Sequence, residues 1–213
     1  TGSYNDANGI DLIQKYAHIY GLDQKTGLEI SESKSSVATK YPVMAAIGQS
    51  DNNYTTVALS RYVTAVASGK KYNYQLMDRI VDASGKTVKK YKADYEDISD
   101  TLTDSQWDAL HSGMRQVVST MDRFQGFDIP VAGKTGTAQQ TGHANHGLFI
   151  GYAPYDDPEI TIAVRIANGY SSHNAATAAR NVISYYYKET SMKDIKEMKA
   201  AGVNGNTRNS VAD

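Results

Sequence analysis

The sequence predicts an α/β fold of the mixed α+β kind, an antiparallel sheet flanked by helices. Three observations predict it. Apolar residues recur at three- and four-residue spacing in three stretches before residue 120 and in one after residue 175, the period of helices lying on a core. Between residues 131 and 167 the period drops to two, in three short runs. The links between those runs are too short for a crossover, so the strands neighbour each other antiparallel.

Each element has its own signal. Ile10, Ile13, Ala17 and Tyr20 form the face of a first helix, and Gly21 supplies the left-handed residue that ends it. Residues 31–40 are polar and read as a surface loop. A second helix over residues 55–68 places Leu59, Val63 and Val66 together and closes at Gly69. Residues 74–81 and 87–91 flank Asp82-Ala83-Ser84-Gly85, a turn-rich link that predicts a β-hairpin. The third helix has the strongest start signal in the chain: Thr103 as cap, Gln106 three residues on, and Leu102 placed to staple against Trp107, with Leu110, Met114 and Val117 continuing the face. Strands are expected over residues 131–138, 147–152 and 159–167. In the last, Ile160, Ile162, Val164 and Ile166 point one way. A helix over residues 175–188 follows, with Val182, Tyr185 and Tyr186 among its packing residues. A short amphipathic helix is expected over 191–201 and a frayed tail over 202–213.

Composition removes several function classes. With 213 residues, 40 % of them apolar, the chain can fold as one ordinary domain with a small appendage. A net charge of −1 with no dominant basic cluster argues against nucleic acid as a partner. No apolar run is long enough for a transmembrane helix, and no signal-peptide pattern opens the chain. The absence of cysteine removes disulfides, thiolate metal sites and a cysteine nucleophile.

The segment that carries chemistry is Gly133-Lys134-Thr135-Gly136-Thr137-Ala138-Gln139. On a strand, Thr135 and Thr137 go to one face and Lys134 to the other. Gly136 on an edge strand lets another backbone approach closely. Two hydroxyls and an ammonium then suit a carboxylate or an oxyanion. A phosphate-binding loop is the competing reading of Gly133-Lys134-Thr135. It needs a glycine where Asp128 stands and a helix opening at the lysine, whereas Pro130 and the later alternation favour a strand.

Lys-Thr-Gly is also one of the motifs of penicillin-binding proteins and class A β-lactamases. Lys134-Thr135-Gly136-Thr137-Ala138-Gln139 resembles the form used by penicillin-binding D,D-transpeptidases. Gly147-Leu148-Phe149-Ile150-Gly151-Tyr152-Ala153-Pro154 resembles their next strand, and Ile47-Gly48-Gln49, Tyr20-Gly21-Leu22 and Thr26-Gly27-Leu28 are similar to their upstream segments. The likeness covers about residues 8 to 188 and is strongest to the monofunctional, membrane-anchored class. It implies the penicillin-binding transpeptidase and serine β-lactamase fold, incomplete in this chain. Residues 1–190 would be the C-terminal portion of the domain and 191–213 a short helix and tail. It also implies a peptidoglycan transpeptidase at the extracytoplasmic face of a bacterial membrane, acting through a serine acyl-enzyme with no metal or organic cofactor. Lys134 would take part in proton movement beside the nucleophile. Thr135, Gly136 and Thr137 would bind substrate, the threonines holding a carboxylate and the Thr137 N–H serving an oxyanion hole. Implied partners are stem peptides, β-lactams and cell-wall synthesis proteins. Alternatives are a β-lactam-sensing or β-lactam-hydrolysing relative, or a non-catalytic scaffold of the same fold.

The nucleophile is missing from this pattern. It calls for Ser-x-x-Lys on the first turn of a buried helix, so that the lysine can take the serine's proton. Ser31–Lys34 sits in a polar run and Ser68–Lys71 ends a helix; Ser50-Asp51-Asn52 and Ser3-Tyr4-Asn5 match a second motif by letter only. The expectation is that the serine lies upstream of Thr1 and that this chain alone is inactive. The absent strands would then leave an edge for the missing half or a second copy. His143-Ala144-Asn145-His146 offers two ligands and no third, so a solvated loop outweighs a metal site. His173 reads as exposed, and Tyr185-Tyr186-Tyr187 as core plus helix surface.

Overall fold

The computed structural model describes residues 5–140 and 142–197. The tail expected over 202–213, the end of the last helix, and Ser3 and Tyr4 lie outside them. The chain divides into two compact units, residues 1–101 and 102–213.

In the first unit, α1 (Asp6–Ile19) starts at Asn5, whose side chain accepts from the Ala7 and Asn8 N–H groups. It ends as the sequence predicts. Gly21 has φ 76°, its N–H reaches the His18 carbonyl, and the Leu22 N–H reaches the Ala17 carbonyl. A short helix, α2 (Pro42–Ala46), was not foreseen; five residues are too few to show a period, and Pro42 at its start was the one available signal. α3 (Thr56–Ser68) is capped by Thr55 and closed by left-handed Gly69. Its buried side includes Val63 and Val66, as expected, and also Arg61, 2 % exposed. Arg61 donates to the carbonyls of Gly21, Gln24 and Lys25, so the loop after α1 folds around a guanidinium. Glu32 does the converse, its carboxylate accepting from the Thr26, Gly27 and Leu28 N–H groups and the Thr26 hydroxyl. Burial works against that charge, and the hydrogen bonds prevail and lower its pKa.

β1 (Lys70–Asn73) and β4 (Asp94–Asp97) pair antiparallel around the hairpin β2 (Arg79–Val81) and β3 (Thr87–Lys90). The hairpin was legible at its turn, though its first strand is Arg79–Val81 and not the expected 74–81, and the outer pair was not, because neither of its strands alternates in hydropathy. Charge complementarity sets its register instead: Lys70 faces Asp97, Lys71 faces Glu96 with a 2.7 Å ion pair, and Tyr72 faces Tyr95.

The second unit contains the sheet. α4 (Asp104–Ser119) opens as predicted, with the Thr103 N–H donating to the Gln106 side chain. Its buried residues are Met114 and Val118, one position on from the expected Val117. β5 (Ala132–Ala138), β6 (His146–Ala153) and β7 (Ile160–Ile166) form one antiparallel sheet in that order, within a residue of the expected bounds. α5 (Ser172–Tyr186) crosses one face, and α6 (Met192–Glu197) follows. The core cluster joins Val118, Phe124, Val131, Phe149, Ala153 and the α5 residues Ala175, Ala176, Ala179 and Ile183, with Ile160, Ile162, Val164 and Ile166 packed against it. Helices were expected on both faces of these strands. Within this unit the core cluster occupies the Phe149 face; on the opposite face Ala132 and Tyr152 are fully buried, the Tyr152 ring edge-on to His111 of α4, while Lys134 is exposed and Leu148, Ile150 and Ala163 are half-buried.

Candidate active site

The glycines of the Lys-Thr-Gly strand have different reasons. Gly133 faces Gly151 across the ladder, and a Cβ on Gly133 would lie 2.5 Å from the Phe149 ring and 2.6 Å from the Ile150 carbonyl oxygen. The pair is a slot for Phe149, which is fully buried. Gly133 is therefore a packing residue on a strand, and this removes the phosphate-loop reading. At Gly136 a Cβ would meet only the Leu148 Cβ, at an ordinary 3.5 Å. Packing within the fold does not require glycine there.

Among the described residues β5 is an edge strand, with β6 as its one neighbouring strand. Register confirms the alternation: Lys134 and Gly136 share a face with Ile150 and Leu148, while Thr135 and Thr137 share one with Phe149 and Gly147. Both Lys134 and Thr135 nevertheless line one cleft of about 730 Å³, because it runs along the open edge of the strand. Its remaining wall comes from the end of α4, the 3₁₀ turn Asp122–Phe124 and the first residues of α5. The Lys134 ammonium donates to the Thr135 carbonyl at 3.0 Å and is exposed. The start of the edge is closed by Arg115 of α4, which donates to the Val131 carbonyl at 3.0 Å.

Arg123, Asp122 and His173 were not foreseen as neighbours of Lys134. No spacing links them, since they meet only through the fold. The N-terminus of α5, capped by the Ser171 hydroxyl accepting from the His173 N–H, adds a positive dipole end to the same cleft. Together these groups favour an anionic or carbonyl-bearing ligand laid along β5.

A family model and known relatives match the chain. The model described as the penicillin binding protein transpeptidase domain matches residues 4–184. This chain belongs to that family. The peptidoglycan D,D-transpeptidase MrdA of Haemophilus influenzae is 27 % identical over 85 % of the chain, and penicillin-binding protein 2B of Streptococcus pneumoniae is 29 % identical over 88 %. The chain spans about a third of the length of these relatives, 33 % and 31 %. Among solved structures, penicillin-binding protein 2B of S. pneumoniae superposes with TM-score 0.76 at 24 % identity, covering 90 % of this chain and 35 % of that one. The imipenem acyl-enzyme of penicillin-binding protein A from M. tuberculosis gives 0.74 at 22 %, covering 83 % and 42 %. The fold is thus that of a penicillin-binding transpeptidase domain.

In this transpeptidase-family chain the serine-bearing motif look-alikes have structural roles. Ser68 donates to the Thr64 carbonyl at the end of α3. Ser50, Asp51 and Asn52 fasten residues 38–40 to residues 45–53. Ser50 donates to the Lys40 carbonyl, Asp51 accepts from the Thr39 N–H and hydroxyl, and Asn52 accepts from the Ala38 N–H. Those bonds, the Thr39 hydroxyl foremost, lower the Asp51 pKa to about 2. Ser31 and Lys34 are exposed. His146 sits at the start of β6, where Nδ1 accepts the Asn168 N–H at 3.0 Å and Nε2 lies against the Gln140 side-chain amide, whose oxygen is the end that can accept an Nε2 proton. An accepting Nδ1 places the proton on Nε2, and burial, aided by the Arg165 charge, lowers the pKa. It therefore ties the β5–β6 loop to the β7–α5 loop. Among the described residues no three metal-ligating side chains come together, and no helix is long and apolar enough to cross a membrane. Tyr187 reaches the Ala153 carbonyl and Glu159, while Tyr185 and Tyr186 are about half exposed, 49 % and 51 %.

Proposed function

We propose that the protein carrying this chain is a peptidoglycan D,D-transpeptidase and that residues 1–190 are the C-terminal portion of its catalytic domain, with 191–213 an appendage. In the reaction, a serine Oγ attacks the D-Ala-D-Ala carbonyl, its proton passes to a base, and the terminal D-Ala leaves. The amine of a second stem peptide then displaces the serine, forming the crosslink. β5 supplies one wall. Lys134 serves the proton network, Thr135 and Thr137 hold the terminal carboxylate, Gly136 gives clearance to the substrate backbone, and the Thr137 N–H donates to the oxyanion. One such donor is worth about 3 kcal/mol of barrier where it has been removed elsewhere. The observation that carries the reading is the position of β5 at the edge of the three-stranded sheet, with Lys134 and Thr135 on one cleft.

None of the described serines combines a lysine three positions on with the first turn of a helix, so the nucleophile is assigned to a preceding segment and this chain alone to an inactive state. β-Lactams and cell-wall synthesis proteins are the partners proposed, at the extracytoplasmic membrane face. The imipenem acyl-enzyme and the complex of Helicobacter pylori penicillin-binding protein 2 with MreC are the supporting instances. Intact mass spectrometry with benzylpenicillin tests this. A gain of one penicillin on a chain extended upstream, lost in Lys134→Ala and weakened in Thr137→Val, is expected. A gain on the short chain overturns the placement of the serine, and none on either overturns the activity.

A further inference from the structure

Away from the cleft, the β2–β3 ribbon combines features that its own fold uses little, apart from Lys89 lying over the Tyr91 ring at 4.4 Å. Among the described residues it is a sheet of two strands with no third, and every residue of both strands is exposed. Such a ribbon is marginal in water by itself. Its turn is self-contained. The Asp82 carboxylate accepts from the Ser84 N–H and hydroxyl and from the Lys86 N–H, and a Cβ on Gly85 would meet nothing within 4 Å. The tip therefore stands in open space.

Charge and apolar surface are concentrated together on it. Residues 78–92 hold five cations, Arg79, Lys86, Lys89, Lys90 and Lys92, against Asp78 and Asp82, a net of +3 in a chain whose total is −1. Asp82 is committed to the turn, and Asp78 lies 3.8 Å from Arg79. Among the described residues no carboxylate forms an ion pair with the four lysines, and register sets Arg79 directly opposite Lys90, where like charges repel. On the same ribbon Ile80 is 47 % exposed, Val81 47 % and Val88 69 %. Lysines alone could be explained as protection of an open edge, but an edge guarded against association does not also present three bare β-branched apolar residues. A soluble polyanion would satisfy the lysines and leave the valines and isoleucine in water. An anionic lipid interface takes both, phosphates meeting the cations and the acyl boundary meeting the apolar side chains.

We infer that the β2–β3 ribbon is a docking arm for an anionic phospholipid surface. The test is flotation of the full chain with vesicles of phosphatidylglycerol and phosphatidylcholine in equal parts, beside vesicles of phosphatidylcholine alone. Binding to the anionic vesicles only is expected. The combined variant Lys86→Glu, Lys89→Glu, Lys90→Glu should weaken it about a hundredfold at low salt, and Ile80→Ser with Val88→Ser should remove the part that survives high salt. Both variants should keep the parent thermal midpoint, because the altered side chains are exposed. Three results overturn the inference: no binding to anionic vesicles, binding indifferent to both variants, or equally tight binding of inorganic polyphosphate that the Ile80 and Val88 changes leave untouched.

Discussion

Gly133→Ala and Gly136→Ala differ by three positions on one strand and should behave in opposite ways. At position 133 the new methyl would lie 2.5 Å from the Phe149 ring and 2.6 Å from a backbone oxygen. Neither can yield cheaply, since Phe149 is fully buried in the core cluster and the oxygen belongs to the paired strand β6. Overpacking of this kind costs about 1–3 kcal/mol, and the rigidity of both obstacles places it at the upper end. For a unit of this size that lowers the thermal midpoint by roughly 10 °C. At position 136 the methyl makes one ordinary contact with Leu148, and replacing glycine restricts the unfolded chain, so stability should hold or rise by up to about 1 kcal/mol. Urea unfolding of both variants followed by circular dichroism measures the difference. Equal midpoints would refute the slot argument. In the extended protein Gly136→Ala should instead lose penicillin acylation while staying folded.

Three further outcomes are expected. Arg61→Met strands three carbonyls that the guanidinium now satisfies, and a loss of about 3 kcal/mol in urea unfolding is expected; an unchanged midpoint would show that the loop after α1 does not depend on it. Asp51 has its pKa held down at about 2 in the folded chain, so its contribution is complete above the ordinary aspartate value and is lost as pH falls towards 2; Asp51→Asn should flatten that part of the acid limb, measured as midpoint against pH. His146, also depressed, should stay neutral with its proton on Nε2 at pH 7, and the stability it contributes, present above the ordinary histidine value, should be lost as pH falls through its lowered pKa; nitrogen NMR showing an Nδ1 proton at pH 7 would contradict the tie to Asn168.

The sequence by itself determined the local elements whose signals are short-range. The cap at Thr103, the stop at Gly21, the turn at Asp82-Ala83-Ser84-Gly85 and the period-two runs of β5, β6 and β7 each depend on a few consecutive residues, and each was found within a residue or two. It also placed Lys134, Thr135, Gly136 and Thr137 on one strand, although of these only Lys134 and Thr135 line the cleft. Tertiary structure decided everything that rests on residues distant in the chain. β1 and β4 match by opposite charge across the pair and do not alternate in hydropathy, so their pairing was invisible until they lay side by side. Arg61 reads as a surface residue until the loop over Gly21 and Gln24 closes on it. Arg123 and His173 join Lys134 only where the end of α4 and the start of α5 meet the open edge of β5. The two glycines of one motif look alike as letters. Only the position of Phe149 separates the one whose Cβ the core excludes from the one where a Cβ would fit.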